Sequence, residues 1–233
     1  FKLIEISGTR VYQKPIHRGA MLETYHDGTQ EVVGTTFIDD CQWDRSAEWV
    51  NILTPTWDTV NGCISLNQDG EGVSTKQMFG DAYISFRYKT GSDISTSRIL
   101  MDIQSNVQSF TRDAYCIHAA RESGDALYLY KITGSTWTGL ANLGVTPTAN
   151  TEYKFDIFKV GSSITVYINE ELKATVTDGS LGNIGYISFG VFTGTSIGTY
   201  RDIQIIAASP DATNGIAACI PPIGGGARYG VEE

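Results

Sequence analysis

Residues 153–176 read YKFDIFKVGSSITVYINEELKATV, and their apolar residues recur with a period of two. In residues 153–160, Tyr153, Phe155, Ile157 and Lys159 fall on one face and Lys154, Asp156 and Phe158 on the other. Alternation of this kind marks a half-buried strand, because successive side chains of an extended chain point to opposite faces. Gly161-Ser162 is a two-residue hairpin signal, residues 164–168 (ITVYI) run back, and Asn169-Glu170 turns the chain again before residues 172–176.

The same pattern extends outward in both directions. In residues 82–89, Ala82, Ile84, Phe86 and Tyr88 share one face, and Tyr83, Ser85, Arg87 and Lys89 the other. Residues 186–192 and 200–206 follow the Asp178-Gly179 turn as further strands, and residues 35–40, 63–67, 98–104, 114–119 and 125–132 precede the hairpins. Residues 42–59, carrying Trp43, Trp49 and Trp57, read as a long loop, and Trp137 follows the Gly134-Ser135 turn on another loop. About a dozen short strands at turn spacing, with hardly any helical periodicity, predict an all-β sandwich with no helix longer than about two turns. Residues 1–34 hold only short strand-like pieces around the Asp27-Gly28 turn and read as an N-terminal extension that pairs with the body or with a neighbour. Residues 208–233, broken by Ser209-Pro210 and Pro221-Pro222 and loosened by Gly224, Gly225 and Gly226, read as a C-terminal tail. The body is residues 35–207.

Composition agrees. With 41% hydrophobic and 18% charged residues in 233, a large core is possible and global disorder is excluded. High Gly (25) and Tyr (12) with low Met (3) fit many turns and aromatic strands. The net charge of -9, without a basic stripe, argues against nucleic acid as a partner. No run of about 18 apolar residues is present, so no membrane insertion through an apolar helix is expected. The first residue is Phe1, which suggests a processed protein or a fragment.

In order along the chain, several segments resemble concanavalin A-like jelly rolls of the lectin/glucanase and laminin G-like kind. These are Phe37-Ile38-Asp39-Asp40 before Trp43, Asn61-Gly62-Cys63-Ile64-Ser65-Leu66, Tyr153-Lys154-Phe155-Asp156-Ile157, Ile164-Thr165-Val166-Tyr167-Ile168-Asn169, Gly182-Asn183-Ile184-Gly185-Tyr186 and Tyr200-Arg201-Asp202-Ile203. The resemblance covers residues 35–207 and implies a two-sheet antiparallel jelly-roll sandwich, to which the N-terminal arm and C-terminal tail are added. It also implies that the first and last strands lie side by side, where carboxylates of the family often hold a structural Ca²⁺. Here those would be Asp39 or Asp40 with Asp202, since calcium takes several hard oxygen ligands. The alternative is that Asp39 and Asp40 cap a turn and Asp202 pairs with Arg201. No organic cofactor is expected.

Retaining glycosidases of this fold carry paired carboxylates on one strand, in an E-x-D-x-x-E pattern. The pattern is absent, and Glu170-Glu171 are adjacent in a turn. No G-x-S-x-G elbow accompanies the scattered His17, His26 and His118, and His118 reads as a packed or surface histidine. The expectation is therefore not an enzyme. Trp43, Trp49, Trp57 and Trp137 are the candidate carbohydrate-binding residues, because sugars stack their apolar faces on aromatic rings. Each could equally plug an end of the sandwich. The cysteines Cys41, Cys63, Cys116 and Cys219 have no CxxC spacing. A Cys41–Cys63 disulfide flanking the tryptophan-rich segment, with Cys116–Cys219 tying down the tail, stands against four separate buried thiols. Disulfides would imply an oxidising compartment.

Two functions follow. One is a non-catalytic extracellular module for glycan or cell-surface recognition and adhesion. The other is a structural subunit of a virion or surface filament, assembling with copies of itself or other subunits through its terminal extensions.

Overall fold

The structure, a computed structural model, describes residues 11–12, 19–24, 30–39, 41, 46–119, 124–192 and 197–208. Among them the chain is almost wholly β. The strands are β1 Val11–Tyr12, β2 Gly19–Thr24, β3 Gln30–Asp39, β4 Trp49–Ile52, β5 Thr56–Asp58, β6 Cys63–Leu66, β7 Gly72–Thr75, β8 Ala82–Lys89 and β9 Arg98–Ser105. There follow β10 Ala114–Ala119, β11 Leu127–Thr133, β12 Thr136–Asn142, β13 Glu152–Val160, β14 Ser163–Ile168, β15 Glu171–Thr177, β16 Tyr186–Phe192 and β17 Gly198–Ala208. The described helices are two three-residue 3₁₀ turns, Ser46–Glu48 and Ile94–Thr96.

Two antiparallel sheets form. One has ten strands, ordered β1-β2-β3-β17-β8-β13-β14-β15, with β6 also pairing β17 and β5 pairing β6. The other has seven, ordered β12-β11-β10-β9-β16-β7-β4. The 153–176 segment becomes β13, β14 and β15, with Phe155 opposite Ile168 and Ile157 opposite Val166. Its turns lie where the sequence placed them: Gly161, Asn169 and Glu170 all have positive φ (54°, 51° and 68°), as tight hairpin turns require.

The alternating residues face inward as expected. Ile84, Phe86 and Tyr88 of β8 and Phe155 and Ile157 of β13 meet Met101 of β9, Ile117 of β10 and Phe189 of β16 in one core. Phe86 stacks on Phe155 at 4.8 Å and meets Phe189 edge-on at 5.1 Å, which joins the two sheets. Burying one such ring contributes about 1.5–3 kcal/mol. The last strand does lie beside the first long one, with Ile203 of β17 opposite Asp39 of β3.

Two local expectations change. Residues 42–59 are not one loop, because β4 pairs with β7 and β5 with β6. Strand pairing, not alternation, extends these short pieces, and their mixed polar residues hid them. Trp137 lies on strand β12 and not on a loop. Within the segment read as an N-terminal extension, β1, β2 and the start of β3 pair as continuations of the ten-stranded sheet.

Candidate functional site

Residues directly opposite one another in neighbouring strands share a sheet face. In the seven-stranded sheet Ile99, Met101, Ile117, Leu129 and Phe189 point into the core. Their alternates therefore form the outer face. Across it run Gly72, Gly190, Leu100, His118, Tyr128 and Asn142 as one row of paired residues, and Ser74, Ser188, Asp102, Cys116, Tyr130 and Gly139 as the next. Phe192 sits opposite Arg98 at one end, and Trp137 opposite Ile132 toward the other.

The two halves of this face differ. On β7 and the middle of β16 the residues are small, Gly72, Ser74, Ser188 and Gly190, and Phe110 lies over the two glycines. A Cβ at Gly190 would stand 2.2 Å from the Phe110 ring, and one at Gly72 2.9 Å from it. Phe110 belongs to the segment joining β9 to β10, and it packs with Tyr130 around a second small core of Leu100, Cys116 and Ile132. Arg112 anchors that segment. Its Nε and Nη2 donate to the two oxygens of Asp102 at 2.8 and 2.5 Å, and its Nη1 donates to the Phe110 carbonyl at 2.6 Å. Asp102 is fully buried; burial pushes its carboxyl up to about 6, against the opposing pull of Arg112.

The other half, over β10, β11 and β12, is aromatic. His118 packs 5.4 Å from Trp137 and 5.3 Å from Phe192, with its Nδ1 2.9 Å from the Ile99 carbonyl. Tyr130 meets Trp137 edge-on at 5.5 Å and Tyr128 at 5.6 Å. Trp137 and Phe192 are 39% and 38% exposed, which leaves ring surface for a ligand. Polar groups border the rings: the Asn142 amide donates to the Tyr128 hydroxyl at 3.0 Å, and Arg98 pairs with Asp125 at 2.7 Å. Exposed aromatic faces beside fixed hydrogen-bonding groups are what a sugar ring needs, apolar C–H surface against the π face and hydroxyls at the rim.

Of the four candidate tryptophans, Trp137 alone joins this site among the described residues. Trp49 is in the core, 3% exposed, edge-on to Phe189 at 5.9 Å. Trp57 is half-buried 6.4 Å from Trp49, and its indole nitrogen is buried without a partner. Trp49 thus belongs to the core, and Trp57 packs partly against it. Trp43 lies outside the described residues. Sequence reasoning missed Tyr128, Tyr130 and Phe192. The available signal was residues 125–132, DALYLYKI, where both tyrosines share the face opposite Leu127 and Leu129.

Asp39 is buried; one oxygen accepts from the Cys41 amide and the other from the Trp49 indole, both at 2.8 Å. Asp202 faces Arg87 at 3.2 Å and Arg201 at 3.9 Å. Among the described residues no three His, Cys, Asp or Glu side chains come close enough to hold a metal ion. Asp40 lies outside the described residues, and the proposal of a structural Ca²⁺ held by Asp39 or Asp40 with Asp202 is tested by a melting curve with and without chelator.

The Cys41–Cys63 bridge is corrected. Both thiols are buried and free. Cys41, at φ 56°, turns its sulfur toward the Asp39 and Tyr200 carbonyls, and the Cys63 sulfur turns toward the Ser65 hydroxyl. Cys116 is likewise free, and Cys219 lies outside the described residues. Burial raises all three thiol pKa values.

No family model matches the sequence, and no curated protein matches it either. Solved structures match the fold. A carbohydrate-binding module of Bacillus subtilis, CBM66, superposes with a TM-score of 0.58 at 15% identity, covering 69% of this chain and 96% of that one. A Bacillus subtilis protein of unknown function with a galectin-like fold gives 0.57 at 15% identity, over 74% and 95%. The Bacillus licheniformis β-glucanase gives 0.55 at 12%, over 75% and 98%. The fold is a jelly-roll sandwich of the lectin/glucanase kind, used by both binding modules and hydrolases.

Proposed function

We propose that the protein is a non-catalytic glycan-binding module acting at an extracellular surface, with its site on the β10–β12 half of the outer face. The observation that carries this reading is the strip of Tyr128, Tyr130, Trp137 and Phe192, partly open to solvent on a rigid sheet and bordered by Asn142 and the Arg98–Asp125 pair. The CBM66 likeness supports it as an analogy of fold. A binding role also fits the carboxylates of this face. Asp102 is fully buried, out of reach of a bound sugar, and Asp125 is paired with Arg98.

The test is an oligosaccharide array probed with the protein and with Trp137→Ala. The expected result is selective capture by the protein, weakened in the variant by about 1–3 kcal/mol, or about 5- to 150-fold. Trp57→Ala is expected to lower stability and leave the affinity of the folded protein unchanged. No capture on the array, together with a native polymer by light scattering, would overturn the reading in favour of a structural subunit.

A further inference from the structure

We infer that Arg112 is a positioning residue, clamped by Asp102 so that one guanidinium fixes both the Phe110 wall and the Trp137 ring of the glycan site. This rests on the glycan-binding reading for its consequence in affinity, but not for its geometry. The Arg112 guanidinium carbon lies 5.8 Å from the centre of the Trp137 ring and 5.1 Å from that of Phe110. Both distances are within the range where a cation is attracted to an aromatic face. Three of its five N–H donors are committed elsewhere, two on Asp102 and one on the Phe110 carbonyl. The side chain is 2% exposed, so solvent screens these interactions little.

The chain of contacts is continuous. Asp102 stands on β9, held by the sheet; Arg112 is held by Asp102; Phe110 and Trp137 are held against Arg112. Trp137 stands on β12, the edge strand of its sheet, and is 39% exposed, so Arg112 adds a third contact to those of His118 and Tyr130 on a ring with little else around it. A stacking ring already fixed before binding loses less rotamer freedom when a ligand arrives. Phe110 fills the shallow track over Gly72 and Gly190, which bars a ligand from that half of the face and confines it to the ring strip.

The experiment uses the full chain labelled with 5-fluorotryptophan, in which the Trp137 ¹⁹F resonance is assigned by Trp137→Phe. Arg112→Lys keeps the charge but cannot make the bidentate, stacked arrangement. The double variant Asp102→Leu/Arg112→Met removes the pair without stranding a charge, which covers the case in which a single substitution fails to fold. Expected in either folded variant is a shift of the Trp137 resonance with greater accessibility to a soluble quencher, the other tryptophan resonances staying in place. On the oligosaccharide array, the glycans that lose capture with Trp137→Ala should weaken about tenfold with Arg112→Lys. An unchanged Trp137 resonance in both folded variants would overturn the inference. Absence of any captured glycan with a shifted resonance would sink the functional reading and leave the positioning role standing.

Discussion

Replacing Gly190 by alanine puts a methyl group where the Phe110 ring now lies, 2.2 Å from one ring carbon and 2.7 Å from another, with the Glu71 carbonyl at 3.1 Å. The ring must move, because Gly190 is held between β7 and β9 by paired strands on both sides. Overpacking of this kind costs about 1–3 kcal/mol. Phe110→Ala alone removes the half-buried ring and should cost about 1–2 kcal/mol. In the double variant the clash with the ring is gone, and only the tighter approach to the Glu71 carbonyl remains. The pair should therefore be less destabilised than the sum of the singles, by about 1–2 kcal/mol. Guanidinium denaturation of all four proteins measures this, and at about 2–4 °C per kcal/mol for a chain of this size melting temperatures give a second reading. Single-variant costs that add within about 0.5 kcal/mol would refute the placement of Phe110 over Gly190, and with it the wall that bounds the site.

Acid should destabilise the fold. The Ser180 and Tyr115 hydroxyls and Lys131 hold Asp178 below the ordinary carboxylate range, and Arg201 and Arg87 do so for Glu152. A carboxylate whose pKa is lowered on folding contributes stability above its unfolded value and loses it as pH falls through the folded one. The melting temperature should thus drop from about pH 4 downward, and less steeply in Asp178→Asn. Asp39→Asn should lower the melting temperature by disturbing the acceptor of the Trp49 indole, with a change in near-ultraviolet circular dichroism; an unaltered spectrum and melting curve would remove Asp39 from the core's hydrogen bonding. Cys41, Cys63 and Cys116 should resist alkylation in the native protein and react after unfolding, and non-reducing peptide mapping that recovers a Cys41–Cys63 bridge would contradict their free state.

Tyr128 and Tyr130 alternate with Leu127 and Leu129, so their common face is written in a local period. Asp39 and Asp202 were expected side by side and are near neighbours through the β3–β17 pairing. What each touches was not legible: Trp49 and Cys41 claim Asp39, and Arg87 faces Asp202. No local period separates Trp49, Trp57 and Trp137 in the sequence. Burial separates them, and burial depends on which strand lies opposite.

The sequence by itself determined an all-β sandwich, the hairpins of residues 153–176, the inward residues of β8 and β13, and the absence of a glycosidase carboxylate pattern. These follow from neighbours a few positions apart, because an extended chain sends alternate side chains to opposite faces. Only the tertiary structure decided that Phe110 settles on Gly72 and Gly190, that Arg112 clamps Asp102, and that His118, Tyr130, Trp137 and Phe192 meet on one outer face. Gly72 and Gly190 are 118 positions apart and pair across β7 and β16. No local period encodes such a contact; it exists because strand order places the two glycines side by side, and because the sheet leaves there a hollow that an aromatic ring can fill.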